Sequence, residues 1–326
     1  MTLEQLRIFV AAAEAEHVTR AAQKLNLTQS AASAAIAALE ERHGVKLFDR
    51  IGRRIALTTA GRAFLSEARA VLARAGAAER ALADLAGLKT GELLLAASQT
   101  VGSYWLPPRL VVFRALYPGV SLKLRIGNTH DVATMASAGE IDLGFIEGEI
   151  ADPTLNVEAV DDDELVIVAA PDRRDWLETA DARALSQAPW VAREPGSGTR
   201  EAFEATLTAF GVAAAERENV LELPSNEAVR AAVEAGAGLA VLSRLVAGAA
   251  LKAGALVASP LVLPRRRFYR LRHKERYESL AARAFVATAE KFSSETFQPI
   301  PSSGGNSERL RISNSGAPGR RSRGWR

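Results

Sequence analysis

A short loop in the second half of the chain combines two glycines with hydroxyl and guanidinium side chains. Its sequence is Pro195-Gly196-Ser197-Gly198-Thr199-Arg200, and an amphipathic pattern predicts that a helix begins at Thr199 and ends at Phe210. The glycines let the backbone approach a ligand, and a helix N-terminus presents unpaired N–H groups with partial positive charge. The loop therefore predicts a site for a small anion, with Ser197, Thr199 and Arg200 as donors. The alternative is that the glycines form only a tight turn and Thr199 only caps the helix.

A second polar stretch, Ser98-Gln99-Thr100, follows a predicted strand and precedes another predicted helix. Ligands of open α/β sheets bind at the carboxyl ends of strands, which is where this stretch lies. We expect it to face the glycine loop across a cleft, so that Thr100 and Thr199 hydrogen-bond a ligand from opposite sides. Glu147 and Glu194 argue against a highly charged ligand, unless both point away or Arg200 neutralises one of them.

The elements that must position these residues alternate between apolar strands and amphipathic helices. We predict strands at 92–97, 121–126, 143–147, 165–169, 190–192, 220–223 and 239–242, and helices at 106–117, 129–138, 199–210 and 226–235. Such alternation favours parallel sheets wrapped by helices, and about 200 residues favour two α/β lobes with a cleft between them.

The first 58 residues have a different pattern, that of a helix-turn-helix. A helix over residues 1–16 precedes a short helix over residues 20–25, a turn at Asn26-Leu27-Thr28, and a helix over residues 29–41. The last of these places Ala32, Ile36 and Leu39 toward a core. It leaves Gln29, Ser30, Ser33 and Ala34 outside, where small and amide side chains suit entry into the DNA major groove beside the capping Thr28. The alternative is that these residues are only good helix and cap formers.

Two short predicted strands, at 47–50 and 55–58, follow this helix and are joined through Gly52. Arg50, Arg53 and Arg54 cluster at their turn, where cations suit contacts with DNA phosphates. A solvated loop is the alternative reading of this cluster.

Beyond the hairpin, apolar residues recur at spacings of four and three along a predicted helix over residues 59–88. The seam consists of Phe64, Ala68, Val71, Ala75, Ala78, Leu82 and Leu85. A heptad seam of this kind predicts pairing with a second copy, and packing on its own domain is the alternative.

From Leu3 to Thr58 the chain resembles the LysR-type transcriptional regulators. The motifs that carry the resemblance are Thr19-Arg20-Ala21-Ala22, Thr28-Gln29-Ser30-Ala31, Leu47-Phe48-Asp49-Arg50 and Leu57-Thr58-Thr59-Ala60-Gly61. The resemblance implies a winged helix-turn-helix DNA-binding domain (all-α with a β wing) over residues 1–58 and a dimerising linker helix over residues 59–88. It also implies a homotetramer built as a dimer of dimers, with double-stranded DNA as partner and RNA polymerase as a candidate partner. Ala34-Ala35 departs from the polar or basic residue common in the family, so half-site specificity does not carry over.

The same resemblance continues over residues 92–292, where it implies a two-lobed α/β effector-binding domain of the type 2 periplasmic-binding-protein fold. The similarity is to the CysL-like branch, through Gly127-Asn128-Thr129, Glu147-Gly148 and Arg193-Glu194-Pro195-Gly196. It adds Asn128 and Glu147 to the expected effector site. It also makes a sulfur oxyanion the favoured effector, with small carboxylates and phosphorylated metabolites as alternatives.

Composition excludes several kinds of chemistry but leaves two other classes of protein as alternatives. The chain has no cysteine, which rules out disulfides, thiolate metal sites and a cysteine nucleophile. Its four histidines are scattered, no catalytic constellation is visible, and we expect no cofactor, metal site or catalytic residue. The rivals are a solute-binding protein for a small anion, and an enzyme on the same α/β scaffold. The N-terminus lacks a signal-peptide pattern and no apolar run spans a membrane, so we expect a cytoplasmic regulator.

Charge alone is a poor guide to DNA binding in this chain. The net charge is +3, but residues 293–326 hold six arginines and two glutamates, so the preceding residues are slightly acidic. This Ser- and Gly-rich tail is expected to be disordered. It either adds an electrostatic grip on DNA or has no function.

Overall fold

The computed structural model, which describes residues 1–52, 54–84, 91–178, 182–212 and 220–292, begins with three helices. These are α1 (Leu3–Ala15), α2 (Val18–Lys24) and α3 (Gln29–His43). Thr2 and Gln5 form a capping box that starts α1. Ala32, Ile36 and Leu39 of α3 are buried, as the sequence pattern predicts.

The corner between α2 and α3 has the predicted turn chemistry. Asn26 takes the left-handed conformation, with φ at 57°. The Thr28 hydroxyl accepts a hydrogen bond from the Ala31 N–H at 3.2 Å, which caps α3. The predicted helix-turn-helix is confirmed.

The wing is an antiparallel pair, β1 (Phe48–Ile51) and β2 (Arg54–Leu57), one residue away from the predicted bounds. Glu40 of α3 fastens it to the helices. The Glu40 carboxylate accepts from the N–H groups of Leu47 at 2.8 Å and Phe48 at 3.2 Å, and from Lys46 Nζ at 2.7 Å. Burial pushes the pKa of Glu40 upward, but these hydrogen bonds outweigh it, so the net pKa is below its usual value.

A long helix, α4 (Thr59–Asp84), follows the wing in the chain. At its start the predicted seam is buried, because Ala68 packs with Phe9 and Leu39. Further along, Val71 is 40% exposed and Leu82 is 69% exposed. An apolar stripe therefore continues beyond the part that this chain covers itself. Leu85 lies outside the described residues, as does the predicted end of the helix at residue 88.

The first α/β lobe is built on a five-stranded sheet in the order β4-β3-β5-β12-β6. Its strands are β3 (Gly91–Ser98), β4 (Val120–Gly127), β5 (Leu143–Glu147), β6 (Leu155–Asp163) and β12 (Arg266–His273), and its helices are α5 (Leu106–Leu116), α6 (Thr129–Ser137) and α12 (Leu280–Glu290). Phe113, Phe145 and Phe285 lie in the core between sheet and helices. A π-helical turn at Val101–Trp105 leads into α5.

The second lobe has a three-stranded sheet in the order β10-β7-β11 and a parallel pair, β8-β9. Its strands are β7 (Leu165–Ala169), β8 (Trp190–Arg193), β9 (Val220–Leu223), β10 (Ala240–Ser243) and β11 (Val257–Ala258), and its helices are α7 (Asp175–Glu178), α8 (Ala182–Gln187), α9 (Gly198–Ala209), α10 (Asn226–Glu234) and α11 (Arg244–Lys252). A bridge between Trp190 and Leu239 joins the pair to the sheet. The chain crosses between the lobes after β6 and again before β12.

The sheets are mixed, which corrects the expectation of parallel sheets. Strands β3, β4 and β5 are parallel, whereas β12 runs antiparallel to β5 and β6, and β10 runs antiparallel to β7. The sequence pattern does not reveal β6 and β12 because both are highly charged. Their charges match across the ladder, where Arg266 opposes Asp163 and Arg270 opposes Glu158. In the described part of the chain, no helix is both long enough and apolar enough to cross a bilayer.

Candidate effector cleft and DNA-binding face

The predicted halves of the effector site meet around one arginine between the lobes. The Arg266 guanidinium lies 3.5 Å from the Thr100 hydroxyl through Nη2 and 3.5 Å from the Thr199 hydroxyl through Nη1. Thr100 lies in the first helical turn after β3, and Thr199 lies in the first turn of α9. The two threonines are 0% and 3% exposed. Two helix N-termini from opposite lobes thus converge on a shared cation in a closed cleft.

Two buried carboxylates hold Arg266 in place. Its Nε donates to Asp163 Oδ2 at 2.7 Å, and its Nη1 is 4.0 Å from Glu147 Oε1. Asp163 also accepts from the Ser243 hydroxyl at 2.6 Å, and the Ser98 hydroxyl contacts the Glu147 carboxylate. Burial raises the pKa of Asp163, although the Arg266 charge opposes this in part. Arg266 is therefore oriented by two buried side chains of the protein itself.

A second polar layer joins the lobes beside the threonines. Arg193 Nη1 donates to Gln99 Oε1 and to Asn226 Oδ1, both at 2.9 Å. Asn226 Nδ2 donates in turn to the Thr100 hydroxyl at 3.0 Å. Because Arg193 also pairs with Glu194 at 2.7 Å, its charge is already neutralised. Gln99 thus serves lobe closure in this structure.

The backbone of the glycine loop packs directly on the first lobe. The His130 N–H donates to the Gly196 carbonyl at 3.2 Å. A Cβ on Gly198 would lie 2.9 Å from the Glu147 carbonyl carbon, so only glycine fits there while the cleft is closed. The Asn128 amide caps α6 and lies 3.5 Å from Glu194 Oε1.

The structure places Ser197 and Thr199 at the cleft but not Arg200. Ser197 is the N-cap of α9 and accepts from the Thr199 N–H at 3.2 Å, which leaves the Thr199 hydroxyl directed at Arg266. Arg200 is not brought to the cleft, because its Nε pairs with Glu204 at 2.6 Å and its Nη1 reaches Glu222 at 3.5 Å. It neutralises neither Glu147 nor Glu194.

Sequence reasoning missed Arg266 and Asp163, along with Arg193 and Asn226 as members of the site. A signal for the first pair was present, because Asp161-Asp162-Asp163 and Arg265-Arg266-Arg267 are complementary charge runs. About a hundred residues separate these runs, and nothing local indicates that they meet.

The expected DNA-reading residues lie on one face of the N-terminal domain. Thr28, Gln29, Ser30 and Ala34 are exposed, and Ser33 is half-buried at the same face of α3. On the wing, Arg50 and Arg54 are exposed and form no salt bridge with any described residue. Arg53 lies outside the described residues. Helix α3 and the guanidinium groups of Arg50 and Arg54 are therefore accessible for contact with DNA.

Helix α4 connects this face to the first lobe through polar contacts. Arg69 Nη2 is 3.3 Å from Glu14 Oε1 on α1, and Arg69 Nε is 3.6 Å from Glu140 Oε1 next to β5. At the other end of α4, Asp84 accepts from the Leu280 N–H at 2.7 Å, at the start of α12. Helix α4 therefore contacts both α1 and the first lobe.

Two family models match the chain and together cover nearly all of its described residues. The model for bacterial regulatory helix-turn-helix proteins of the lysR family matches residues 3–62. The model for the LysR substrate binding domain matches residues 86–293.

Relatives and solved structures agree with these matches. The uncharacterized HTH-type transcriptional regulator YeiE of Escherichia coli (strain K12) is 35% identical over 288 residues, which is 88% of this chain and 96% of that protein. The RuBisCO operon transcriptional regulator of Allochromatium vinosum is 34% identical, over 74% of this chain and 80% of that protein. The crystal structure of full-length CbnR complexed with its target DNA has a TM-score of 0.64 at 24% identity, covering 89% of this chain and 99% of that one. The chain therefore belongs to the LysR family of DNA-binding transcriptional regulators.

Proposed function

We propose that this regulator senses a small oxyanion in the cleft between its lobes and that binding alters how it sits on DNA. The observation that carries the proposal is the position of Arg266, 3.5 Å from the hydroxyls of both Thr100 and Thr199. A guanidinium with two hydroxyls at two helix N-termini suits an anion's oxygens. Ser98, Gly196, Gly198 and Ser197 complete the lining, and Asn128 and Glu147 flank it.

The effector class follows from the size and chemistry of this site. The groups are almost fully buried, so a ligand between them must be small and must replace existing hydrogen bonds. The resemblance of the glycine loop to the CysL-like branch makes sulfur oxyanions the first candidates, ahead of small carboxylates and phosphorylated metabolites.

DNA recognition is proposed to divide between α3 and the wing. Gln29, Ser30, Ser33 and Ala34 would approach base edges, with Thr28 at the helix cap, while Arg50, Arg53 and Arg54 would bind phosphates. The first group sets sequence preference, and the second sets affinity and register.

Assembly is proposed to follow the linker helix. The exposed stripe of α4, with Val71 and Leu82, would pair two copies, and two such dimers would form a tetramer. The proposed domains are residues 1–58 for DNA binding, 59–88 for the linker, 92–292 for the effector and 293–326 for the basic tail. RNA polymerase is a candidate partner of the bound assembly.

Calorimetry on the full chain tests the effector site. Sulfate, thiosulfate and sulfite are titrated into the parent and into Thr100→Val and Thr199→Val. Each variant loses a hydrogen bond to a charged group, so we expect about a fivefold or larger loss of affinity, and melting curves check that each variant is folded. Thr208→Val is the matched control, because its hydroxyl donates along α9 to the Glu204 carbonyl at 2.8 Å. Unchanged anion affinity in both cleft variants would contradict the proposed site.

A further inference from the structure

The two buried carboxylates of the cleft differ in how many of their oxygens accept hydrogen bonds. Asp163 uses both, because Oδ1 accepts from the Ser243 hydroxyl at 2.6 Å and Oδ2 accepts from Arg266 Nε at 2.7 Å. Glu147 uses one, because the Ser98 hydroxyl donates to Oε2 and no described residue donates a hydrogen bond to Oε1. The Nη1 atom of Arg266 lies 4.0 Å from Oε1, which is too far for a hydrogen bond. Oε1 of Glu147 is therefore an acceptor in the cleft that still lacks a donor.

This oxygen lies where the effector is proposed to bind. The Glu147 side chain packs against the first turn of α9, since its Cγ would lie 2.7 Å from a Cβ added to Gly198. Arg266 Nη1 is 3.5 Å from the Thr199 hydroxyl and 4.0 Å from Glu147 Oε1. Because both oxygens lie near the same nitrogen, one small ligand can contact both.

Two hydroxyl groups fix the Glu147 carboxylate in this position. The Thr129 hydroxyl donates to the Glu147 backbone carbonyl at 2.8 Å, and the Ser98 hydroxyl holds Oε2. Glu147, Ser98 and Thr129 are each 1% exposed. A carboxylate only accepts hydrogen bonds, so a ligand oxygen placed against Oε1 must bring its own proton.

We propose that the cleft selects oxyanions that carry their own O–H group, and that Glu147 is the residue that selects them. The negative oxygens of the ligand would contact Arg266 and the two threonines, while its O–H donates to Glu147 Oε1. The proton stays on the ligand, and no covalent bond changes. Hydrogenphosphate and hydrogensulfite meet this requirement, whereas sulfate and thiosulfate have no proton to donate. The inference rests on the proposed effector site and names the class of ligand that this site takes.

The selection acts mainly by rejecting the wrong anion. A fully ionised oxyanion would set a negative oxygen against Glu147 Oε1 with no hydrogen between them, which is a repulsive contact. A site built to hydrogen-bond a ligand O–H strongly rejects an analogue that lacks it, because the buried acceptor is then left unpaired. Such a loss at a buried charged group corresponds to a preference of about tenfold or more.

Calorimetry with phosphate and sulfate on the full chain measures this preference. Slightly above neutral pH, phosphate is mostly the hydrogenphosphate dianion, which matches sulfate in charge and tetrahedral shape and differs from it by the proton. The parent should bind phosphate more tightly than sulfate, by about tenfold or more. Glu147→Gln should bind sulfate better than the parent does and lose most of the preference, because an amide donates as well as accepts. Glu234→Gln, which removes the i,i+4 partner of Arg230 on α10, is the control and should keep the parent's preference.

The outcomes separate this inference from the proposed function. Equal affinity of the parent for phosphate and sulfate would overturn the selection and leave the effector site intact, and this result does not depend on the folding of any variant. A parent-like preference in Glu147→Gln, with a melting curve that shows it folded, would overturn Glu147 as the selecting residue. Absence of binding of phosphate, sulfate and sulfite to the parent would contradict the oxyanion site itself, and the inference with it.

Discussion

Gly198→Ala is expected to hold the effector cleft open while each lobe stays folded. The backbone φ of Gly198 lies outside the left-handed region that favours glycine. Alanine is therefore allowed by the backbone, and only the neighbours matter. The new Cβ would lie 2.7 Å from Glu147 Cγ and 2.9 Å from the Glu147 carbonyl carbon, across the lobe boundary.

The size of the effect follows from that overlap. Carbon atoms normally approach to about 3.5–4.0 Å, so the lobes must separate by roughly 1 Å. Overpacking of this kind costs about 1–3 kcal/mol, which here falls on the closed state alone. Anion affinity should therefore fall about 5- to 150-fold, because only the closed fraction binds.

Calorimetry and melting curves on the full chain check this prediction. Gly248→Ala is the matched control, since Gly248 lies within α11 and an added Cβ there meets nothing within 4 Å. The control should bind as the parent does and melt at the same or a higher temperature. Parent-like anion affinity in Gly198→Ala would refute the idea that closure at this contact is needed for binding.

Three further predictions concern the N-terminal domain and its pairing. Glu40→Gln should destabilise this domain by about 1.5–3 kcal/mol near neutral pH, as judged by chemical denaturation, because charge-assisted hydrogen bonds to the wing are weakened. The folded pKa of Glu40 is lowered, so its stabilisation is present above the unfolded pKa of about 4.3 and is lost as the pH falls below it. The variant should lack that acid-dependent loss, and an unchanged acid profile would contradict the assignment. Gln29→Ala should reduce the DNA-binding free energy by roughly 1–3 kcal/mol, and only for sites that keep the one base pair it contacts. Arg50→Ala should weaken binding to all DNA sequences alike and reduce the salt dependence of binding by about one counterion. An equal loss of affinity for cognate and random DNA in Gln29→Ala would count against base contact by Gln29. Val71→Asp should abolish pairing in ultracentrifugation, since a buried unpaired carboxylate would occur twice across a two-fold interface, and an intact assembly would assign α4 another role.

The fold was largely predictable where local physics decides it. Asn26 and Thr28 mark the corner of the helix-turn-helix because each does something local, a left-handed turn and a helix cap. The predicted bounds of strands β5, β7 and β9 equal the observed ones, because short apolar runs bounded by polar residues are typical of strands.

The cleft was only partly predictable because its central residue comes from far along the chain. Thr100 and Thr199 could be expected from helix starts, but Arg266 joins them through the antiparallel return of β12, which a basic sequence conceals. Arg200 shows the opposite error. Its i,i+4 partner Glu204 was visible in the sequence and offers a nearer salt bridge than the cleft does.

The central claim is that an oxyanion held between Thr100 and Thr199 changes DNA binding. The most direct measurement is the affinity of the full chain for its operator DNA, with and without saturating anion, in the parent and in Thr199→Val. We predict that the anion changes the parent's affinity or its footprint, and that the variant binds DNA as the free parent does but responds only at higher anion concentration. An identical response of both proteins at every anion concentration would contradict the account.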